Sequence, residues 1–415
     1  MLLKDYIPGI KKKNCQIFFS GITFDSAKVK KNDIFFAIQG NNFDGNKFIP
    51  IVEKKGCRII VSEQKIKKKI NGIQIHTKNV RKLLAEVSSK IYKNRPKNLI
   101  AVTGTNGKSS VCDFYRQILK LNNKKVASIG TLGVKSDNVN LDLSHTTIDP
   151  INLGKILNKL KKKGVQNVIM EASSHGLEQN RLDGLLFTLG IFTNFSHDHL
   201  DYHKNLDNYL KAKLYLFENL IKSNGGIITD EKIAEFKKIK KISINKNLKL
   251  HGINNNGLFK ILSHSYKGES QFIKIEYKKS IRIIKLNLIG KIQLKNILMA
   301  IIAAKKSDLN LDKIIKVLPK IIPVEGRFEK IGKVKNNSKV ILDYAHTPDA
   351  LKSCILNLRE QFKDKKISLL FGCGGNRDHN KRSKMGKIAS DYSDRIYLTD
   401  DNPRFENPKK IRRDI

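Results

Sequence analysis

A glycine-rich turn between an apolar strand pattern and a helix pattern carries the residue types of a phosphate-binding loop. The segment 99–111 reads LIAVTGTNGKSSV. Gly104 and Gly107 permit a tight turn that aims backbone N–H groups at phosphate oxygens. Lys108 can neutralise the charge of the β- and γ-phosphates, and the Ser109 hydroxyl can ligate Mg²⁺. The turn therefore predicts a nucleoside triphosphate site, against the alternative of a glycine-rich turn that binds nothing.

Two further polar clusters follow apolar strand patterns. The segment 170–181 reads MEASSHGLEQNR and ends its strand at Glu171, and the segment 193–203 reads TNFSHDHLDYH. Open α/β sheets bind ligands at the carboxyl ends of their strands, so we expect both clusters to lie near the phosphate loop. Taken alone, the spacing of Glu171 and His175 is more typical of an ordinary polar surface than of a metal site.

The spacing of the glycine turn, TGTNGKS, resembles the phosphate loop of the muramyl ligase superfamily, which includes the folylpolyglutamate synthases. Those enzymes phosphorylate a carboxylate with ATP, and an incoming amine then displaces the phosphate. The resemblance identifies Lys213, in the segment YLKAK, as a carbamylated lysine, whereas the residues alone do not distinguish it from Lys211. A carbamate is an anionic oxygen donor that suits Mg²⁺, and a bare ammonium beside a magnesium triphosphate would repel the metal.

The resemblance also implies the catalytic, metal-binding and ATP-binding residues. The implied catalytic residues are Lys108, Glu171, His199 and Lys213. One Mg²⁺ would be held by Glu171, His199 and carbamylated Lys213, and a second by Ser109 and the phosphates. Three later strings, GKIQLKN, EGRFE and LDYAHTPDA, resemble the family's remaining ATP contacts. The implied ATP-binding residues are Gly104, Thr105, Asn106, Gly107, Lys108, Ser109, Ser110, Asn296, Arg327, Asp343 and His346.

The N-terminal segment resembles the UDP-binding domain of the tripeptide-forming muramyl ligases, a domain that folylpolyglutamate synthases lack. It contains TFDS at 23–26 and GNNFDG at 40–45. By this resemblance, the residues that hold the uridine diphosphate are Phe24, Ser26, Asn41, Asn42 and Phe43. The residues that meet the muramoyl dipeptide are His145, Thr146, Thr147, Ser173, Gln179 and Arg181.

Two strings near the C-terminus, FGCGGNRD at 371–378 and TDDNPR at 399–404, carry the signal for the amino acid substrate. DNPR resembles the family members that add meso-2,6-diaminopimelate, in contrast to those that add L-lysine. A guanidinium can bind the second carboxylate of diaminopimelate bidentately, and without that carboxylate it would be left unpaired. The alternative is a type I turn with a solvated arginine. The expected pocket residues are Arg377, Asp401, Asn402, Pro403 and Arg404.

The elements that must position these residues predict an α/β fold of three domains, as a length of 415 residues allows. We expect a UDP-substrate-binding α/β domain over 1–95 and a central ATP-binding domain with a doubly wound parallel sheet over 96–325. A Rossmann-like amino-acid-binding domain, incomplete at its end, would occupy 326–415. The first boundary falls at 94–97, where a proline follows a helical pattern. The segment 234–280 reads as a two-sided β-region.

Composition narrows the class of protein further. The chain has 80 basic and 38 acidic residues, a formal net charge of +42. Because lysine is spread along the whole chain, this charge favours a solvated basic surface over a nucleic acid or anionic membrane partner. The longest apolar stretch, 297–304, is far short of the ~20 residues of a membrane-spanning helix. Five scattered cysteines without a C-x-x-C pair, and an N-terminus without an export signal, predict a cytoplasmic protein with reduced thiols and no zinc site.

Taken together, the resemblance implies an ATP-dependent ligase that adds meso-2,6-diaminopimelate to the D-glutamate of UDP-N-acetylmuramoyl-L-alanyl-D-glutamate in peptidoglycan synthesis. ATP and two Mg²⁺ are the implied cofactors, and we expect a monomer. Members of the family continue beyond the position of Ile415. Three alternatives therefore stay open: a truncated, non-catalytic protein that binds UDP-muramoyl dipeptide or ATP, an L-lysine-adding ligase, and a nucleic-acid-binding protein.

Overall fold

The computed structural model describes residues 1–40, 43–64, 70–254, 257–334 and 337–415. Its first unit is a parallel sheet in the order β1-β2-β3-β4, covered by helices. The strands are β1 (Ile22–Thr23), β2 (Ile34–Phe36), β3 (Ile59–Ser62) and β4 (Ile73–His76). The helices are α1 (Leu3–Tyr6), α2 (Ile49–Lys54) and α3 (Val80–Ile91). The predicted strand over 16–19 is wrong, because that segment forms only an isolated bridge between Leu2 and Phe18.

The central unit is a seven-stranded sheet in the order β11-β10-β9-β5-β8-β6-β7. Every neighbouring pair is parallel except β6 and β7, which are antiparallel. The strands are β5 (Asn98–Thr103), β6 (Val126–Gly130), β7 (Gly133–Ser136), β8 (Asn167–Glu171), β9 (Phe187–Phe192), β10 (Ile221–Thr229) and β11 (Lys249–Gly252). The helices are α4 (Lys108–Leu121), α5 (Pro150–Lys162), α6 (Ser174–Glu178), α7 (Leu200–His203), α8 (Leu206–Tyr215) and α9 (Phe236–Asn245).

Both faces of the central sheet are buried, as a doubly wound fold requires. Ile100 and Val102 of β5 belong to the core shared with α4, while Leu99 and Ala101 belong to the core on the opposite face. Alternate residues of a strand point to opposite sides, so a continuous apolar run is needed when helices cover both. The predicted doubly wound parallel sheet is confirmed.

An antiparallel sheet and two helices complete the central unit. The strands are β12 (Lys260–Lys267), β13 (Ser270–Tyr277) and β14 (Ser280–Leu286), and the helices are α10 (Lys291–Lys306) and α11 (Leu311–Val317). The segment 234–280 is therefore not all β-structure, because α9 lies within it. Phe236 and Ile239 recur at helical spacing, but lysines on the solvent side obscure the period. The apolar stretch 297–304 of α10 is buried between α4 and the sheets.

The third unit contains two small sheets and three helices. The strands are β15 (Glu329–Val334), β16 (Ser338–Leu342), β17 (Ser368–Phe371) and β18 (Arg395–Leu398), and the helices are α12 (Pro348–Gln361), α13 (Asn380–Tyr392) and α14 (Pro408–Asp414). β15 and β16 are antiparallel, whereas β17 and β18 are parallel and end beside each other. Among the described residues, no helix is both long and apolar enough to cross a membrane.

Candidate active site

The glycine turn lies at the carboxyl edge of the central sheet, between the end of β5 and the start of α4. Gly104 has φ +141°, and a Cβ atom there would lie 1.9 Å from Thr193 Oγ1. Gly107 has φ +85°, and a Cβ atom there would lie 2.5 Å from Asn296 Oδ1. Both glycines are therefore required by conformation and by space, and the loop has the strand–turn–helix context of a phosphate loop.

Two buried lysines converge on one backbone carbonyl of this loop. Lys108 Nζ donates to Gly104 O at 2.9 Å and to Thr105 O at 2.8 Å, and Lys213 Nζ donates to Gly104 O at 2.8 Å. Burial and the nearby Lys108 hold the pKa of Lys213 well below its ordinary value. Burial also lowers the pKa of Lys108, although Glu171 and Asp198 oppose this. Two ammonium groups at one oxygen repel each other, so this site favours an added anion.

Glu171 lies beside the phosphate loop, at the end of β8. Its Oε1 atom accepts hydrogen bonds from Ser109 Oγ and from the backbone N–H of Thr131, both at 2.9 Å. A Cβ atom at Gly130 would lie 2.4 Å from this carboxylate oxygen, so β6 approaches it closely because it ends in glycine. The buried carboxylate and the Ser109 hydroxyl are adjacent hard oxygen donors, the type that Mg²⁺ prefers.

The histidines of the segment 193–203 pack into an aromatic cluster next to Lys213. The rings of His175 and His199 meet edge to face at 5.0 Å, and Lys213 Nζ lies 4.2 Å from the ring centre of Tyr209. Burial, with the neighbouring His199, lowers the pKa of His175 to about 4. Burial also lowers the pKa of His199. Neutral imidazoles can act as metal ligands at physiological pH. Within the described ranges, no three His, Cys, Asp or Glu side chains form a metal-binding group by themselves.

The residues predicted for the muramoyl dipeptide form one hydrogen-bonded group beside Glu171. Thr147 Oγ1 donates to Glu171 O at 3.0 Å and accepts from the backbone N–H of Ser173 at 2.9 Å. Arg181 donates to Thr147 O at 2.5 Å and, through Nε and Nη2, to Gln179 Oε1 at 3.1 and 2.7 Å. The site thus contains a guanidinium next to the phosphate loop.

Two more of the predicted dipeptide residues lie at the edge of this group. Thr146 Oγ1 lies 3.0 Å from Thr131 Oγ1. His145 is exposed and pairs with Ser144 Oγ at 2.9 Å.

A cavity of about 380 Å³ separates the central and third units at the phosphate loop. Asn106, Gly107 and Ser110 line one wall, and Asn296, Arg327 and Asp343 are also among the lining residues. Arg327 stacks on Tyr344, with the guanidinium carbon 4.2 Å from the ring centre. Burial raises the pKa of Asp343, although its hydrogen bond from Phe328 N opposes this.

His346 was expected to border the nucleotide but does not line this cavity. It is exposed and pairs with Tyr344 O at 3.1 Å.

The residues predicted for uridine diphosphate are only partly described. Phe24 is 38% exposed and Phe43 is 74% exposed, so both present uncovered aromatic surface. The backbone carbonyl of Ser26 accepts from Lys55 Nζ at 2.8 Å. Asn41 and Asn42 lie outside the described residues.

The two strings predicted for the amino acid pocket meet beyond the parallel ends of β17 and β18. Gly375 N donates to Asn402 O at 2.9 Å, and Arg404 Nη1 donates to Gly375 O at 2.6 Å. Arg404 has the left-handed φ of +51°. Asp401 and Arg377 are exposed. Pro403 is intermediate in exposure, and its carbonyl accepts from Glu406 N at 3.0 Å.

Sequence reasoning missed three residues around the site. Thr131 binds Glu171, and its position after the strand that ends at Gly130 was an available signal. Asp230 is 1% exposed at the end of β10 and pairs with Lys295 Nζ at 2.7 Å. Both Asp230 and Lys295 line the cavity.

A phosphate loop at the carboxyl edge of a parallel sheet, with two buried lysines and a carboxylate beside it, defines a nucleotide-dependent enzyme of the phosphate-loop class. The chain belongs to the Mur ligase family. It matches the Mur ligase catalytic domain over 19–101, the Mur ligase middle domain over 102–304 and the glutamate ligase domain over 326–415. The resemblance drawn from the motifs is thereby confirmed.

Curated relatives in this family share much of their length with the chain. A protein of Rickettsia conorii named UDP-N-acetylmuramoyl-L-alanyl-D-glutamate–2,6-diaminopimelate ligase is 42% identical over 405 residues, which cover 95% of this chain and 82% of the relative. A protein of Fusobacterium nucleatum with the same name is 36% identical over 409 residues, 98% of this chain and 83% of the relative.

Solved structures agree in fold. One, titled as a structure of the same 2,6-diaminopimelate ligase, has a TM-score of 0.78 at 28% identity and covers 100% of this chain and 85% of its own. A folylpolyglutamate synthase of Mycobacterium tuberculosis, 13% identical, has a TM-score of 0.63 over 77% of this chain and 79% of its own. The predicted muramyl ligase architecture is thus confirmed.

Proposed function

We propose that this chain is the ATP-dependent ligase that joins 2,6-diaminopimelate to the D-glutamate of UDP-N-acetylmuramoyl-L-alanyl-D-glutamate. The observation that carries the proposal is the hydrogen bond from Thr147 to Glu171 O, because it joins the predicted dipeptide group to the phosphate loop. A carboxylate held by this group would lie next to the γ-phosphate of a nucleotide in the loop. The identity of the curated relatives supports the choice of substrates.

In the proposed reaction, the γ-carboxylate of D-glutamate attacks the γ-phosphate of ATP and ADP leaves. The amine of diaminopimelate then attacks the acyl phosphate, and inorganic phosphate leaves as the amide forms. Lys108 and the loop N–H groups stabilise the negative charge of the transferred phosphoryl group. Arg181 binds and orients an anionic group of the dipeptide. Movement of the third unit toward the central unit would exclude water, which otherwise hydrolyses the acyl phosphate.

The residues around the phosphate loop fit the implied magnesium ions and the implied lysine modification. Ser109, Glu171, His199 and carbamylated Lys213 would hold Mg²⁺, with phosphate oxygens as further ligands. Bound Mg²⁺ would neutralise the charge of the phosphates. Carbamylation requires a neutral amine, and burial together with Lys108 lowers the pKa of Lys213 as that chemistry needs. A carbamate at this position would also relieve the repulsion between Lys213 and Lys108.

The proposed amino acid pocket is formed by Arg377, Asp401, Asn402, Pro403 and Arg404. A guanidinium in this pocket would bind the second carboxylate of diaminopimelate, and Asp401 or Asn402 would take its ammonium. L-lysine lacks that carboxylate and would leave the guanidinium unpaired.

Phosphate release tests the proposal. The purified chain is given ATP, Mg²⁺ and UDP-N-acetylmuramoyl-L-alanyl-D-glutamate, with either meso-diaminopimelate or L-lysine. We expect release with diaminopimelate only. Equal release with lysine would contradict the specificity argument. No release with either, alongside retained binding of the UDP substrate, would favour a non-catalytic binding protein. The monomeric state, the cytoplasmic location and the lack of a nucleic acid partner stay predictions.

A further inference from the structure

A fully buried arginine lies behind the two loops of the proposed diaminopimelate pocket. Arg382, in the first turn of α13, is 0% exposed. Its Nη2 atom lies 2.9 Å from Glu406 Oε2, and its Nη1 atom lies 2.8 Å from Asp414 Oδ2 and 2.9 Å from His379 Nδ1. The desolvation of buried charges offsets most of their attraction, so a contribution to stability does not by itself account for this cluster.

Glu406 divides its carboxylate between Arg382 and one of the pocket loops. Oε2 pairs with Arg382, while Oε1 accepts a hydrogen bond from the backbone N–H of Asn376. The hydrogen bond from Asn376 and the pairing with Arg382 hold the pKa of Glu406 below its ordinary value. The carboxylate therefore stays ionised and keeps both partners at physiological pH.

The bonds of Glu406 connect two loops, which we define as the first loop (372–380) and the second loop (399–407). Glu406 itself belongs to the second loop, and its partner Asn376 belongs to the first. The side chain of Asn376 accepts from Phe405 N at 3.1 Å, which adds a return bond. The contacts between Gly375 and the segment Asn402 to Arg404 lie next to these bonds. Arg382 thus supports the junction on which the proposed pocket is built.

We propose that Arg382 is a positioning residue, which acts through Glu406 to fix the first and second loops relative to each other and so to place Arg404 for the second carboxylate of diaminopimelate. The identity of that amino acid rests on the proposed function. Arg382 is buried and touches no substrate, so its effect reaches the amino acid only through the loops. Small displacements of binding groups are costly, because recognition of a carboxylate by a guanidinium depends on geometry.

A matched pair of variants separates this role from a merely structural one. Glu406→Gln and Asp414→Asn each remove one carboxylate from the same guanidinium, at 2.9 and 2.8 Å, but only Glu406 belongs to a pocket loop. In Glu406→Gln we expect the KM for diaminopimelate to rise by about tenfold, with the KM for ATP unchanged and kcat largely retained. We expect Asp414→Asn to leave all three unchanged. Equal changes in both variants would overturn the proposal.

A second variant and a second measurement keep the test independent of activity. Arg382→Lys retains the charge but loses the forked geometry, so it should behave like Glu406→Gln. Hydrogen exchange of the backbone amides in the two loops should speed up in Glu406→Gln and Arg382→Lys but not in Asp414→Asn. Unchanged exchange in the first two variants would contradict the positioning role. If the unaltered chain makes no product from diaminopimelate, the proposed function fails, and the exchange result still decides the role of Arg382.

Discussion

The carbonyl oxygen of Gly104 is the point at which the chemistry of individual residues is decided. It accepts hydrogen bonds from both Lys108 and Lys213, and both side chains are removed from water. Only one charge on this pair is well tolerated, because a single carbonyl dipole cannot offset two buried ammonium groups. The pair therefore distinguishes Lys213 from the other lysines of α8 by environment, where the sequence alone could not.

We predict that Lys213→Ala lowers ligase activity by at least about 100-fold, because the variant cannot form the proposed carbamate. Lys211→Ala is the matched control, since Lys211 lies on the same helix but is exposed, and we expect its activity to stay near that of the unaltered chain. Phosphate release after exhaustive removal of CO₂, and again after addition of bicarbonate, measures the role of the modification. Similar losses in both variants, or activity that is indifferent to bicarbonate, would contradict the assignment.

The join between α10 and α12 is the element-scale feature that connects the central and third units. Gln361 Oε1 accepts from Gly290 N at 2.8 Å, and Asn357 Oδ1 accepts from Ile292 N at 3.0 Å. Both N–H groups belong to the start of α10, where a helix cannot satisfy its own donors. One helix thus supplies the caps of the other across the edge of the cavity.

We predict that Gln361→Ala lowers the free energy of unfolding by about 1–2 kcal/mol, because it leaves the Gly290 N–H without its cap. Gln361→Glu keeps an acceptor for that N–H and should retain most of the stability. Gln361 also donates to Gly268 O at 3.1 Å, a bond that both variants lose. Urea unfolding of both variants measures the difference. If the glutamate variant is as unstable as the alanine variant, the bond to Gly268 and not the cap is the important one.

The sequence predicted the elements whose residues are apolar on both faces, and it predicted less where charge obscured the pattern. The strand over 167–171 was predicted with its observed bounds, because both sides of β8 are buried and its residues form an unbroken apolar run before Glu171. The helix α9 was missed because lysines fill its exposed face. The role of Arg382 was beyond prediction, since its partners lie 24 and 32 residues away in a chain where basic residues are common.

At the scale of the whole molecule, the stability of the fold depends on histidines that are kept neutral. His251 on β11 is an example away from the active site. Burial, assisted by Lys306 and Lys249, lowers its pKa from 6.5 to about 4. In the unfolded chain the same imidazole takes up a proton at higher pH, so the unfolded state binds more protons between these two values. Its contribution to stability is therefore complete above pH 6.5 and is lost as the pH falls toward 4.

We predict that replacing His251 by glutamine flattens the dependence of stability on pH. Below pH 6.5, the unaltered chain should lose free energy of unfolding faster than His251→Gln, by up to about 1.4 kcal/mol per pH unit. Denaturant unfolding at pH 7 and at pH 5 gives the two slopes. His145→Gln is a control with an exposed ring. Parallel pH profiles for His251→Gln and the unaltered chain would show that His251 does not titrate differently in the folded state.

The two hydrogen bonds that Lys108 makes to its own loop have a consequence for how a nucleotide enters. Its ammonium is already engaged with two carbonyl oxygens, so an arriving phosphate must exchange with existing partners rather than meet a free cation. The heat released on binding is then the difference between the old contacts and the new, and much of the gain comes from neutralising the crowded positive charge. The loop behaves as a spring-loaded latch for anions, closed on itself until a triphosphate offers Lys108 a better partner.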